Sequence, residues 1–144
     1  MSLHGTYDDA NLFAKILRGE IPAVKVYEDD EVLAFMDIFP QTRGHFLVVP
    51  KNVRARNFLE LPGDRVGPLM ERVHRLAIAA EKALKPDGVT VTQFSGEAAG
   101  QTVFHLHVHI IPRYSGQRLA GHNHGKQADI AELQQIAGDI AAQL

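Results

Sequence analysis

The chain has 144 residues, with 15 basic against 17 acidic side chains and no cysteine. That length suits one domain able to bury well over half of its unfolded surface, and the lack of thiols excludes disulfides and thiolate metal sites. A formal net charge of -2 lacks the basic excess of a duplex nucleic-acid binder, so no nucleic-acid partner is expected, while small anions, which need only a local field, stay open.

The opening Met-Ser-Leu-His-Gly has no charged region followed by an apolar one, and no stretch approaches a membrane span, so a soluble cytoplasmic protein without a membrane partner is expected. Asp8 and Asp9 are candidate caps for a short helix over 10–17, with Leu12, Phe13, Ile16 and Leu17 on its apolar side and Gly19 past its end. Residues 24–27 and 32–37, separated by Glu-Asp-Asp-Glu, predict a hairpin, and a third strand follows over 44–49 before Pro50. Leu61-Pro62-Gly63-Asp64 opens the longest helix, where Val66, Leu69, Val73, Leu76, Ala80 and Leu84 recur at spacings of three and four until Pro86-Asp87-Gly88 ends it. Residues 89–94 alternate like a strand, and a loop over 95–100 leads into a further strand over 104–111. A glycine-rich polar tail follows, and a last amphipathic helix is expected over about 129–142.

These elements predict an α+β fold: an antiparallel sheet of about five strands with a long helix and a short N-terminal helix packed on it. One domain over 1–144 is expected, with its core at about 8–113 and a tail and helix at 114–144.

The strand at 104–111 carries the chemistry. His105, His107 and His109 alternate with Phe104, Leu106, Val108 and Ile110, so in a strand the imidazoles share one face and the apolar side chains the other. Neighbouring imidazoles would stand about 6.6 Å apart at the Cα level, a crowding of ionisable groups that an ordinary core strand has no use for. Histidine titrates near neutrality, so three together can supply a nucleophile, proton donors and an adjustable positive field. Just upstream, Gly100-Gln101-Thr102 offers close backbone approach, an amide and a hydroxyl, the kind of donors that bind phosphoryl oxygens; alone the three residues would read as a turn.

Taken together, Gly-Gln-Thr-Val-Phe-His-Leu-His-Val-His-Ile-Ile-Pro-Arg over 100–113 resembles the signature of the histidine triad (HIT) superfamily. The segments over 13–22, 27–38 and 44–51 follow the order and spacing of its Hint-like branch. The resemblance implies a nucleotide hydrolase or transferase acting at the α-phosphate of a purine nucleotide derivative, a phosphoramidate or a dinucleoside polyphosphate. His107 would be the nucleophile, forming a covalent nucleotidyl-histidine. His109 would hydrogen-bond the phosphoryl or leaving group, and His105 and His45 would orient the nucleophile. Gln101 and Thr102 would bind the phosphate, and Asp37 the ribose hydroxyls. From its position alone Asp37 reads equally as a strand-terminal turn residue. Leu12, Phe13, Ile16, Ile21, Phe35, Ile38 and Leu47 match base-pocket positions, with Phe13 and Ile38 touching the base. The resemblance implies neither metal nor cofactor, and a two-fold homodimer.

This chain departs from the pattern in three places. Asn11 and Ala14 stand where many bacterial relatives carry a zinc-binding cysteine pair, Phe94 and Ser95 where an asparagine contacts the phosphate or leaving group, and the segment after Arg113 differs from a phosphoramidase tail. Two other classes of function compete with the enzyme. One is a metal site built from two triad histidines and His45; the other is a nucleotide-binding or interaction module with weak catalysis. His122 and His124 in the tail are expected to be solvated.

Overall fold

The computed structural model describes residues 2–119 and 127–144, so His122 and His124 lie outside the described residues. Five strands, β1 (Lys25–Glu28), β2 (Val32–Met36), β3 (Phe46–Pro50), β4 (Gly88–Thr92) and β5 (Val108–Arg113), form one antiparallel sheet in the order β1-β2-β3-β5-β4. Helices α2 (Gly63–Leu84) and α3 (Ile130–Ala141) share one core with the sheet, and α1 (Leu12–Leu17) packs with the residues of the opposite face. The predicted α+β architecture is therefore what the chain adopts.

β2 and β3 are buried at every residue, which is why Val-Leu-Ala-Phe-Met and Phe-Leu-Val-Val-Pro read as unbroken apolar runs. Their alternate residues go to two cores. Ala34, Met36, Phe46 and Val48 join Val108 and Ile110 under Leu69, Val73 and Leu76 of α2 and Leu133, Ile136 and Ile140 of α3. Leu33, Phe35, Leu47 and Val49 meet Phe13 of α1. The apolar core thus continues past residue 113 into the C-terminal helix.

Several boundaries differ from the sequence reading for local reasons. The cap of α1 is Asn11, whose side chain accepts from Ala14 N at 2.9 Å; Asp8 instead folds back onto Ala10 N at 2.8 Å, and Asp9 binds Arg54. α2 closes on Lys85 in the left-handed region at φ 49°, where its N–H reaches Glu81 O. α3 is capped by Asp129 at its expected start. Ala79 and Ala80 of α2 are 2 % and 0 % exposed, so these small residues pack in the protein's own core.

The largest correction concerns the histidine strand. β5 begins at Val108 and runs through Pro112 to Arg113, so His109 alone of the triad lies in the ladder. Leu106 N donates to Ala55 O, a loop carbonyl, instead of to a strand. β3 pairs with β5 only as far as Val48, and the following Pro50 O accepts from His105 Nε2 at 3.1 Å. A side chain therefore takes over where the ladder stops. Among the described residues no helix is long and apolar enough to cross a membrane.

Candidate active site

All four motif histidines are buried: His45 is 0 %, His105 1 %, His107 7 % and His109 3 % exposed. The face that the imidazoles were expected to share is thus enclosed by protein. Desolvation lowers the pKa of His105, the hydrogen bond to Pro50 opposing it, so its imidazole is held neutral.

Hydrogen-bond partners order the protons. His107 Nδ1 lies 2.7 Å from His105 O, and a carbonyl only accepts, so neutral His107 carries its proton on Nδ1 and its lone pair on Nε2. Gln41 N–H donates to His45 Nδ1 at 3.0 Å, which puts the His45 proton on Nε2, 3.0 Å from His109 Nδ1. His109 must accept there, and its own proton goes to Nε2. A ring with a lone pair therefore stands beside a ring with an N–H, at a centroid separation of 4.9 Å.

The His105 ring occupies a place other than the one expected, and His45 stands beside His109. The His105 ring donates to Pro50 O and accepts from Tyr7 Oη at 2.6 Å, while its backbone carbonyl, not its imidazole, orients His107. Burial raises the Tyr7 pKa, with Asn11 opposing, which keeps the phenol a donor. His45 Nε2 meets His109 Nδ1 at 3.0 Å. Nothing in the sequence pointed to Tyr7, which precedes every predicted element and reaches the site across 98 residues.

A cavity of about 250 Å³ opens over His107 and His109. Gly100, Thr102 and Asp37 stand at its wall, and every apolar position named above, from Leu12 to Leu47, lines it together with Phe39 and Val103. The Phe13 ring meets His107 edge-on at 4.8 Å, and Ile38, 37 % exposed, stands at the rim. Both readings of Asp37 hold in part: Oδ1 accepts from Phe39 N at 2.8 Å in a turn, while Oδ2 lies 3.6 Å from His45 Nε2.

Gln101 is turned away from the cavity, against expectation. Its Nε2 donates to Arg56 O at 2.6 Å and Val103 O at 3.0 Å, and its Oε1 accepts from Gly96 N at 2.8 Å. Both amide protons are spent on carbonyls, so the side chain pins the loop and leaves phosphate contact to Thr102 and the backbone at Gly100, whose φ of 108° suits glycine. Phe94, in the place of the expected amide, packs its ring 5.4 Å from that of His109.

Among the described residues, Asp37, His45 and His109 bring one donor atom each within 4.8 Å of the others, spacing a metal ion can use. The proton order opposes it. Ligation through His45 Nε2 would move the proton to Nδ1, against the Gln41 N–H, leaving two donors face to face. The donor set therefore fits a hydrogen-bond chain and not a metal.

An antiparallel α+β sheet with an ordered histidine pair under an apolar pocket defines the class of protein. The model of the HIT domain matches residues 18–116, and the chain belongs to the HIT family. It is 40 % identical over 136 residues to Protein hit of Bacillus subtilis, covering 92 % of this chain and 93 % of that protein. It is also 40 % identical over 102 residues to adenylylsulfatase HINT3 of Arabidopsis thaliana, covering 71 % of this chain and 51 % of that one. A crystal structure of a Hit-like protein of Bartonella henselae, involved in cell-cycle regulation and solved with an unknown ligand, superposes with a TM-score of 0.91 at 46 % identity over 97 % of this chain and 100 % of that one.

Proposed function

We propose that the protein is a nucleotide hydrolase or nucleotidyl transferase that attacks the α-phosphorus of a purine nucleotide derivative and passes through a covalent nucleotidyl-His107. One observation carries the reading: the bond from His107 Nδ1 to His105 O, which aims a lone pair from Nε2 beside the N–H of His109. In the first step the Nε2–phosphorus bond forms and the phosphorus–leaving-group bond breaks. The leaving group keeps the electron pair and departs as an anion hydrogen-bonded by the N–H of His109 Nε2. In the second step the oxygen of water displaces Nε2 from phosphorus, the electron pair of the broken bond returns to His107, and the proton released by water neutralises the departed anion. Thr102 and the Gly100 backbone face the phosphoryl oxygens, Asp37 the ribose, and Phe13 and Ile38 the base. HINT3, a relative that hydrolyses a nucleotidyl sulfate by its name, supports nucleotide chemistry at such a site.

The test is His107→Ala. The variant should bind nucleoside monophosphate yet turn over at least ~100-fold more slowly, and intact-mass spectra of quenched wild-type reactions should show a nucleotidylated species that the variant lacks. Turnover near wild type would sink the mechanism. Phe94, which puts a ring on His109 in place of an amide, favours a second reading, a nucleotide-binding module with weak catalysis; it predicts tight monophosphate binding without turnover.

A homodimer is the proposed assembly. In its support, β4 is an edge strand with Val89 and Val91 37 % and 45 % exposed, an open ladder that a second copy would cover.

A further inference from the structure

We propose that Tyr7, on the arm ahead of α1, is a positioning residue for the transfer step: through the His105 ring its hydroxyl fixes the carbonyl that aims His107. The inference rests on the nucleotidyl-transfer reading and adds to it a residue from outside the pocket. Tyr7 does not line the nucleoside cavity, so its effect on the reaction must pass through its neighbours.

The relay has three bonds. Pro50 O only accepts, so His105 Nε2, 3.1 Å away, carries the ring proton and Nδ1 keeps the lone pair. Tyr7 Oη, 2.6 Å from that Nδ1, is therefore the donor, and the imidazole is held at both nitrogens. The third bond comes from the same residue's carbonyl, 2.7 Å from His107 Nδ1. Residue 105 stands ahead of β5, so the sheet ladder does not fix its backbone; the grip on its ring and the bond from Leu106 N to Ala55 O do so instead. Removing the phenol hydroxyl leaves a lone pair without its donor on a ring that is 1 % exposed, and frees that ring and the carbonyl behind it to shift.

The arm is built to keep Tyr7 in place. Arg54 bonds both carboxylate oxygens of Asp9 at 2.9 Å and lies over the Tyr7 ring, 5.1 Å from its centroid. Asn57 Nδ2 donates to Leu3 O at 2.8 Å, and Glu97 N to Ser2 Oγ at 2.9 Å. Between Arg54 and Asn57 lies Ala55, whose carbonyl takes the Leu106 N–H, so one short segment anchors both the arm and the approach to the triad. The Tyr7 ring meets that of His105 edge-on at 5.7 Å, a contact that Tyr7→Phe keeps while it removes the donor.

The experiment reads geometry and rate separately. In long-range proton–nitrogen NMR spectra His107 should be the Nδ1–H tautomer in the wild type and a mixture of Nδ1–H and Nε2–H forms in Tyr7→Phe. With adenosine 5′-phosphoramidate or diadenosine tetraphosphate, whichever the wild type hydrolyses, kcat of the variant should fall about tenfold or more, the scale of a misaimed nucleophile, with AMP binding unchanged. A wild-type His107 pattern in the variant overturns the proposal whatever the rate does, and so does an unchanged kcat or a loss confined to KM. Where Tyr7→Phe does not fold, a fluorotyrosine at position 7 keeps the shape and the donor but ionises at lower pH, and a phenolate cannot donate. The groups that face this phenol, His105, Asp9, Arg54, Arg18 and the Asn11 amide, are the same in both proteins. The alkaline fall of kcat should therefore move to lower pH with the fluorotyrosine, and an unmoved alkaline limb overturns the proposal. A wild type that hydrolyses neither substrate refutes the nucleotidyl-transfer reading, and the His107 pattern then decides the positioning by itself.

Discussion

At the scale of single residues, the site is set by where protons can go. The carbonyl of His105 and the amide of Gln41 each leave one choice of tautomer, and the two choices give His107 a lone pair and His109 a donor. Gln101 has the same kind of structural part. It ties Arg56, Val103 and Gly96 together, so Gln101→Ala leaves two carbonyls and one buried N–H without their partner. The loss should be about 2–3 kcal/mol of stability in denaturant titration, as expected for buried groups left unsatisfied. Activity lost with full stability would mean that Gln101 touches substrate after all. The triad histidines were legible from their alternation, while His45, Asp37, Thr102 and the pocket's apolar side chains were legible through the resemblance to the HIT signature. Tyr7, Gln41 and Pro50 were not, because a phenol in an arm and two backbone groups leave no pattern in sequence.

At the scale of elements, periodicity served the helices well. The ladder in α2 and the spacing in α3 returned their burial, with Leu69, Val73, Leu76, Leu133, Ile136 and Ile140 all inside. It misled at the triad, because alternation of residue type persists over 104–107 although those residues have left the sheet, Leu106 N bonding a loop carbonyl and the His105 ring bonding Pro50 O. No local signal distinguishes a paired strand from an extended run. The same limit applies to the face of α2, whose alanines serve the protein's own core, so a charge at Ala80 tests folding and not assembly. Assembly is tested at β4: Val91→Lys should halve the mass seen by light scattering at micromolar concentration while the chain stays folded. A wild-type mass of one chain would refute the dimer.

For the whole molecule, acid is the lever. Burial by itself would raise the pKa of Asp29, but the Tyr27 hydroxyl, the Arg72 guanidinium and the N–H groups of Val32 and Glu31 outweigh it and hold the carboxylate well below the ordinary range. This group joins the β1–β2 turn to α2. Because its folded pKa is depressed, its stabilisation is complete above the unfolded value of 3.8 and is lost as pH falls through the folded one. His105, buried neutral with its pKa lowered from 6.5, acts in the same direction, its share declining once pH falls below that value. Stability should therefore decline gently below about pH 6.5 and more steeply below about pH 4. Asp29→Asn should cost about 2 kcal/mol at pH 7 and flatten the steeper part, read from melting temperature against pH. A steep part retained in the variant would assign it to other carboxylates.

One tether at this scale crosses from the pocket to the far end of the chain. Ala128 N donates to Ile38 O at 2.8 Å, joining the approach to α3 to the rim residue beside Asp37. Any ligand that immobilises the rim must then also slow amide–deuterium exchange at Ala128, and by reciprocity whatever loosens that helix start weakens the ligand by the same free energy. The last helix is, in that sense, a remote reporter of an occupied pocket.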